Sequence, residues 1–520
     1  MSRRSLVAVG LAAVTAMVLV AFITANGVAV STDGTAYLEA AKNLLAGHGL
    51  TSVWWSGRPE PLTRFPPLYP VAIAAVSSAT GASAETAARL LNVALAPAIV
   101  VLMALLAAEA GRGLRVSIGT AAGWAAVLGA VNCATLRPEA FTLSEPLFMA
   151  LVLASLLALC RALEREGRNA AWLIAASAAA SLATLTRYVG VALIGTVCLA
   201  TLLYFPRRLS RRFGYAVLAG LVATAGSAAW ALRNSLVAGT TAAHELSVNR
   251  IPLERLSEGA RTMLGFVVPS EMGGLRWPLY VIVIVGGATL CALAYRRARG
   301  HWERINNAQK ALIVWLLVYP LFLAFAMSTV DAWIVFDWRL LAPEFVALPA
   351  VVSVILGQLA ARPETRRIAY GWQAWAAACL VGQIVWTGTW SSEVRSSKVG
   401  LASVHREYPA LFGAIQALPS GATVYTNWPH VIQYFIGRSS LGLPLLPSSQ
   451  TPRPNPHLGD ELADIGRHAR SGVAYLVIFD DARSHATADE PYLAQYVLID
   501  SLRSMPGGHI ARLRPRPPTS

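Results

Sequence analysis

Charge is scarce in this chain. Only 14% of its 520 residues are Asp, Glu, Lys or Arg, against 55% hydrophobic residues and a mean hydropathy of +0.51. A soluble chain of that length would form several domains and would need a more charged surface. Cysteine is thin as well. The five present, Cys133, Cys160, Cys198, Cys291 and Cys379, all lie within apolar runs, so no disulfide is expected outside the membrane and no Cys pair has metal-ligand spacing. There is no D-x-D pair, no P-loop, no G-x-S-x-G elbow, and no second histidine at ligand spacing from His48 or His430. Without paired acids to hold a divalent metal, a soluble nucleotide-sugar donor is disfavoured. The inverted halves of many transporters are missing too.

What the sequence holds instead is a succession of apolar runs of 17 or more residues over the first 390 positions, the mark of a polytopic membrane protein. Candidate spans fall near 5–27, 86–109, 116–134, 141–161, 170–186, 189–205, 214–236, 277–295, 309–328, 340–359 and 369–390, eleven in all. The stretch PPLYPVAIAAVSS at 66–78 is too short for a normal crossing and is expected to lie at the interface or re-enter. Arg3 and Arg4 precede the first run as in a signal peptide. That run is longer than an h-region and no A-x-A site follows, so it is expected to stay as a signal-anchor helix.

With the N-terminus in the cytoplasm, the inner loops are GRGLR, RALEREGR, PRRLSRRF, YRRARGHWER and ARPETRR, each rich in arginine as the positive-inside rule requires. Topology thus accounts for the net charge of +15 without a nucleic-acid partner. The count turns on 170–205, where only Thr186, Arg187 and Tyr188 separate two short runs. One fused helix would place Arg187 at mid-membrane at high cost, so a hairpin is expected.

The expected fold is therefore an α-helical polytopic membrane protein with about eleven transmembrane helices and a small C-terminal extracytoplasmic α/β domain. Residues 1–390 form the transmembrane domain, with outer loops at 28–85 and 237–276, and residues 391–520 form the α/β domain. In the latter, GATVYTN and VAYLVIFDD read as strands, GDELADIGRHARSG and PYLAQYVLIDSLR as helices, and RLRPRPPTS as a disordered tail. The expected location is the inner (plasma) membrane of a bacterial cell, with the C-terminal domain outside.

Asp33, in STDGTAYLEAAKNLL, sits where the first span leaves the lipid. It suits the N-cap of an amphipathic helix, and it equally suits a general base whose basicity is raised by desolvation at the interface. Arg58, Arg64, Arg137, Arg187, Arg233 and Arg339 face outward, against the positive-inside bias. Singly each reads as a snorkelling anchor; together they suit a phosphate, which guanidinium grips in a bidentate fork. Glu145, Asp337 and Glu344 lie at or inside span ends, where charge is expensive. They read either as site residues or as structural pairs, Asp337 with Arg339 and Glu145 with Arg137.

The motif D-G-x-x-Y-L-x-x-A-x-x-L-x-x-G-x-G-L after the first span, followed by R-F-P-P-L-Y-P, resembles the GT-C superfamily of membrane glycosyltransferases. The nearest groups in pattern are the protein O-mannosyltransferases and the lipid A aminoarabinose transferases. LSEPLF, ATLTRYVGVAL, WALRN, DWRLLAP and VYTNWPHVIQYFIGR continue the resemblance in order along most of the chain. The resemblance implies inverting transfer of a sugar from a polyprenyl-phosphate carrier to a lipid, protein or polysaccharide acceptor on the outer face. It maps the catalytic base onto Asp33, donor phosphate binding onto Arg58, Arg64, Arg187 and Arg339, and site support onto Tyr37, Tyr69, Glu145, Asn234 and Asp337. It also brings one departure: many members carry Asp-Glu where this chain has Asp33-Gly34. Glu39 stands about 240° further round a helix and cannot replace the missing acid. No cofactor is therefore expected, the donor being a substrate, and metal dependence is disfavoured.

Two other classes fit the same composition. A transporter or lipid flippase would show mid-membrane binding residues, broken helices and repeat symmetry. A non-catalytic relative that only binds lipid-linked sugars would tolerate the missing second acid.

Overall fold

The computed structural model of the chain describes residues 1–114, 116–164, 167–241, 248–269, 273–274, 276–301, 305–330, 334–361, 363–396, 400–446, 454–480, 487–488 and 490–516, without the side chains of 290, 291, 293–301 and 364. The side chains of Cys291 and of the loop YRRARGHWER lie outside that description, as do Arg115 and Arg165 of two other basic loops.

Helix α1 (Arg3–Ile23) begins at Ser2, whose hydroxyl accepts the Ser5 N–H. Two short helices follow, α2 (Thr32–Leu45) and α3 (Leu68–Thr80), separated by a loop that pairs strands β1 (Thr51–Val53) and β2 (Pro59–Pro61). The bundle continues with α4 (Ala84–Ala110), α5 (Ile118–Val131), α6 (Cys133–Ala140), α7 (Glu145–Glu164), α8 (Asn169–Thr186), α9 (Val191–Tyr204) and α10 (Leu209–Ala238). After α11 (Leu253–Gly265) come α12 (Arg276–His301), α13 (Asn307–Thr329), α14 (Trp338–Phe345), α15 (Leu348–Ala360) and α16 (Arg366–Arg395).

Each apolar run expected to span falls on one of these helices or on a bent pair. Seven described helices are long and apolar enough to cross a bilayer: α1, α4, α7, α8, α10, α13 and α16. The pairs α5–α6 and α14–α15, bent by 41° and 40°, raise the number to nine. The apolar segments Tyr188–Tyr204 and Arg276–Thr289 are shorter, so length and composition do not establish the expected eleven. The chain is an integral membrane protein. Helix α7 is central, with 72% of its most apolar window buried, whereas α10 and α16 are peripheral at 22% and 17%. Segment 66–78 forms α3, thirteen residues packed on α2 and α4 rather than a span of its own.

The chain turns back at Arg187. Helix α8 ends at Thr186, Arg187 is extended (φ −149°), and a single 3-10 turn leads into α9. Ser181 lies against Gly226 of α10 and Cys198 against Gly220, while Tyr188 at the turn meets Trp230. Residues on both sides of the break therefore descend the same helix, which a fused rod could not do. The hairpin puts Arg187 at the end of the bundle where α2 and α3 lie.

That end is roofed by the C-terminal region, with α17 (Leu401–Glu407), α18 (Pro409–Gln416), α19 (Pro429–Ile436), α20 (Leu458–Ser471) and α21 (Glu490–Leu493). Its sheet has the order β4-β3-β5-β7-β6, where β3 is Thr423–Thr426, β4 Leu441–Gly442, β5 Ala474–Phe479, β6 Val497–Met505 and β7 Gly508–Pro515. Strand β3 pairs in parallel with β4 and β5, and β7 antiparallel with β5 and β6. Along β5 the side chains alternate between two cores, as a strand's period of two requires. Ala474, Leu476 and Ile478 face one core with Leu462 and Ile465 of α20. Tyr475, Val477 and Phe479 face the other, which also contains Tyr37 and Leu38 of α2 and Tyr69 and Ile73 of α3. The α/β region and the first loop thus share one core.

Two sequence expectations fail here. Helix α21 takes in only the first three residues of PYLAQYVLIDSLR, and VLIDSLR lies in strand β6, because β7 pairs along it from Val497↔Pro515 to Met505↔Gly508. RLRP is strand rather than tail: Leu513 is buried while Arg512 and Arg514 point out, and Arg514 meets Asp500 at 2.6 Å. Residues 517–520 lie outside the described residues.

Candidate active site

Backbone pairing sets the site. Ala29 donates its N–H to the Ala140 carbonyl and accepts from Thr142 N–H, which joins the start of the first loop to the α6–α7 turn. This brings the first turn of α2 so close to Thr142 that a Cβ on Gly34 would stand 2.7 Å from the Thr142 carbonyl oxygen. Only glycine fits. The N-cap is Ser31, not Asp33: the Ser31 Oγ accepts the Gly34 N–H at 3.0 Å. Because the hydroxyl satisfies that free helical N–H, the Asp33 carboxylate is left to turn toward the bundle.

There it meets a chain of ions. Asp33 Oδ2 accepts from Arg339 Nη2 at 2.6 Å, and Arg339 Nε donates to Glu145 Oε1 at 2.7 Å. Arg187 Nη1 lies 2.6 Å from that same Glu145 oxygen and 3.3 Å from Ser144 Oγ. Glu145 is fully buried, whereas Asp33 and Arg339 each keep 25% of their side-chain surface exposed. Burial pushes the Asp33 carboxyl up, but the charge and hydrogen bond of Arg339, then the charges of Arg187 and Arg64, outweigh it and hold the acid below its ordinary value. The raised basicity expected from desolvation is therefore not found. The expected structural pairs are also replaced. Glu145 is shared by Arg187 and Arg339, Arg137 stacks over Trp386 at 4.8 Å, and Asp337 spends its Oδ1 on the N–H groups of Arg339 and Leu340, both at 3.0 Å. Asp337 is thus the N-cap of α14 and fixes the turn that presents Arg339. Glu344, partly buried further along α14, is not in the ion cluster.

The remaining candidates divide. Arg64 is close enough to act on Asp33, lies over the Trp54 ring at 5.0 Å, and has no carboxylate or carbonyl partner among the described residues. Arg58 lies elsewhere. It is exposed and lines a cavity of about 1320 Å³ beneath the C-terminal region, so it leaves the set of phosphate ligands. Tyr37 approaches Ser144 Oγ at 3.3 Å and packs edge-on against Tyr69, so both brace the cluster. Asn234, fully buried, accepts from Arg233, which donates to the Leu62 carbonyl at 3.0 Å; this pair steadies the segment leading to Arg64. Glu39 accepts the Val53 N–H at 2.8 Å and belongs to the loop, and His48 is exposed.

Sequence reading missed Ser144 and Trp54. Ser144 had a usable signal, a hydroxyl just before Glu-Pro at a helix start. It also missed a cavity of about 410 Å³ lined by Arg137, Arg261, Arg276, Trp338 and Trp386. None of those three arginines pairs with a carboxylate among the described residues, and Trp338 adjoins Arg339 in the chain. No group of three or more His, Cys, Asp or Glu could hold a metal ion among the described residues.

The fold is one that solved membrane glycosyltransferases share. The structure of ArnT from Cupriavidus metallidurans bound to undecaprenyl phosphate aligns with 98% of this chain and 97% of its own, at 15% identity and a TM-score of 0.58. AglB from Archaeoglobus fulgidus, an archaeal oligosaccharyltransferase in complex with an inhibitory peptide and a dolichol-phosphate, aligns over 98% and 74%, at 14% and 0.56. The mycobacterial arabinofuranosyltransferase AftD aligns over 99% and 40%, at 15% and 0.56. In sequence, residues 37–232 match the model of the dolichyl-phosphate-mannose-protein mannosyltransferase family. No curated protein matches the chain by sequence.

Proposed function

We propose that the protein is an inverting glycosyltransferase that moves a sugar from a polyprenyl-phosphate carrier to an acceptor hydroxyl at the outer face of the membrane. The observation that carries this is the position of Asp33: a partly exposed carboxylate, oriented through one oxygen by Arg339, within the influence of a guanidinium, Arg64, that has no carboxylate partner among the described residues. Oδ2 is engaged, and Oδ1, with no partner among the described residues, is placed to take the acceptor proton. As the acceptor oxygen attacks the anomeric carbon, the bond from that carbon to the phosphate oxygen breaks. The phosphate departs as an anion, and arginine is suited to stabilise it. A carboxylate of low pKa suffices as base because it is ionised at neutral pH and receives the proton as the glycosidic bond forms.

Arg64 is the phosphate ligand in this reading. Arg187, Arg339 and Glu145 hold the field and the geometry around it. The cavity with Arg137, Arg261 and Arg276 offers aromatic walls and cations to a prenyl-linked headgroup. The bound undecaprenyl phosphate of ArnT, the dolichol-phosphate of AglB and the mannosyltransferase family match all favour a lipid-linked donor. The arginine-rich loops favour a cytoplasmic N-terminus and an extracytoplasmic C-terminal region in the inner (plasma) membrane. The acceptor is a lipid, a protein or a polysaccharide.

The test uses full-length protein in nanodiscs, given labelled undecaprenyl-phosphate mannose and, separately, undecaprenyl-phosphate arabinose, with envelope extract as acceptor. Sugar transfer from either, lost in Asp33→Asn, supports the assignment. Donor-bound label that is never transferred would leave a binding protein, and label carried across sealed vesicles without transfer would make the chain a flippase.

A further inference from the structure

Arg64 raises a question of restraint. A guanidinium with no acid to hold it sits on a long, flexible stem, and ordering that stem costs about 1.5–2 kcal/mol of rotamer entropy. The structure restrains it with a ring. Arg64 lies over the Trp54 indole at 5.0 Å, and that indole is stacked on the His430 imidazole at 5.0 Å with only 7° between the planes. Phe65 meets the edge of Trp54 at 5.8 Å and Tyr37 at 5.0 Å, linking the stack to the Asp33 cluster through Tyr37 and Ser144.

His430 belongs to α19 of the C-terminal region and is 2% exposed. The loop that carries Trp54 is stitched to the same region. Trp55 donates its indole N–H to the Leu443 carbonyl at 3.0 Å and accepts the Gly442 N–H at 2.8 Å, and Ser439 donates to the Gly57 carbonyl. A Cβ at Gly442 would stand 2.2 Å from the Trp55 indole nitrogen, so the fit tolerates glycine alone.

We propose that His430 is a positioning residue for the donor site: through the Trp54 ring it holds the Arg64 guanidinium beside Asp33, which makes the C-terminal region part of the donor-binding apparatus. This rests on the reading of Arg64 as the phosphate ligand. A guanidinium on an aromatic face keeps its N–H edges free for phosphate oxygens, which a salt bridge would consume. His430 never touches the donor; it decides where Arg64 waits.

The experiment titrates undecaprenyl phosphate into the full-length protein in nanodiscs, comparing wild type, Arg64→Ala, His430→Ala, His430→Phe and the double variant His430→Ala/Arg64→Ala. His430→Ala is expected to weaken binding about fivefold, the size of a partly desolvated cation–π contact. His430→Phe, which keeps a flat ring, is expected to restore it, and the double variant to bind no worse than Arg64→Ala alone. His430→Ala binding as wild type does, or a double variant whose loss is the product of the two single losses, would overturn the proposal. If His430→Ala fails to fold, Trp54→Phe takes its place, and absence of coupling to Arg64 overturns the proposal equally. Wild type that does not bind undecaprenyl phosphate sinks the donor reading itself, a result distinct from either.

Discussion

Asp33 and Arg339 stand 2.6 Å apart, and the same guanidinium reaches the buried Glu145 with its Nε. Arg339 therefore joins an accessible acid to an inaccessible one. The buried carboxylate holds the arginine, and the arginine aims the exposed carboxylate. A base built this way owes its orientation to residues on three separate helices, α2, α7 and α14.

Asp33→Asn keeps the shape of that contact and removes the proton acceptor. Transfer is expected to fall by about 10²–10⁴, the usual share of a general base, with binding of undecaprenyl phosphate largely retained. Turnover on labelled donor, measured beside a binding titration, checks both halves. Near-normal turnover would remove Asp33 from the base role.

The acid limb of the rate profile follows from the sign of the Asp33 shift. Arginine charge holds the carboxyl below its ordinary value, so the ionised, active form persists to lower pH than for an unperturbed aspartate. Removing that charge with Arg339→Gln leaves burial opposed only by the charges of Arg187 and Arg64, and the limb is expected to move to higher pH. Rate against pH for the two proteins decides it; an unmoved limb would mean that another group titrates there.

How much of this is legible in the sequence depends on the range of the interaction. The spans are legible because each is a local apolar run, and Arg187 and Glu145 stand out as charges where charge is expensive. Their partners do not, because Glu145 and Arg339 are 194 positions apart and nothing local says that one carboxylate will serve two arginines. Asp33 was readable as a helix-start acid, but Ser31, two residues earlier, takes the cap. VLIDSLR suits a helix by composition; its strand identity comes from β7, which follows it in the chain. In β7 itself the basic, proline-containing RLRP hides an inward Leu513 between two outward arginines.

Glu145 is expected to be a stability residue as much as a site residue. Glu145→Ala would leave the largely buried Arg187 without its carboxylate and Arg339 with Asp33 alone, at a cost of about 3–5 kcal/mol. A lower melting temperature and lower yield are the expected outcome, with Glu145→Gln intermediate. Unchanged melting in Glu145→Ala would show that water or lipid phosphate already neutralises the two arginines.

Arg64 and Arg187 should separate in the same assay. Arg64 has no carboxylate partner to lose among the described residues, so Arg64→Ala is expected to raise the donor KM about tenfold or more, the value of a charge-assisted contact, at little change in melting temperature. Arg187→Ala breaks its contact with Glu145 and should lower both donor affinity and melting temperature. Equal melting losses in the two variants would contradict the view that Arg64 is held ready for a ligand.

Gly34 carries the last prediction. The Asp-Glu pattern of the superfamily that the sequence resembles would put a second acid at this position, but here a Cβ would press on the Thr142 carbonyl oxygen at 2.7 Å. The contact is backbone, pinned by the pairing of Ala29 with Thr142, so it cannot yield cheaply. Gly34→Ala is expected to cost about 1–3 kcal/mol as an overpacking change. With no acid at 34 and with Asp33 and Glu145 each engaged by arginine, transfer is expected to proceed at the same rate in EDTA as in Mn²⁺ or Mg²⁺. A rate abolished by EDTA and restored by Mn²⁺ would mean that the cation displaces Arg339 from Asp33 during turnover, and the arginine-only account of the leaving group would fall.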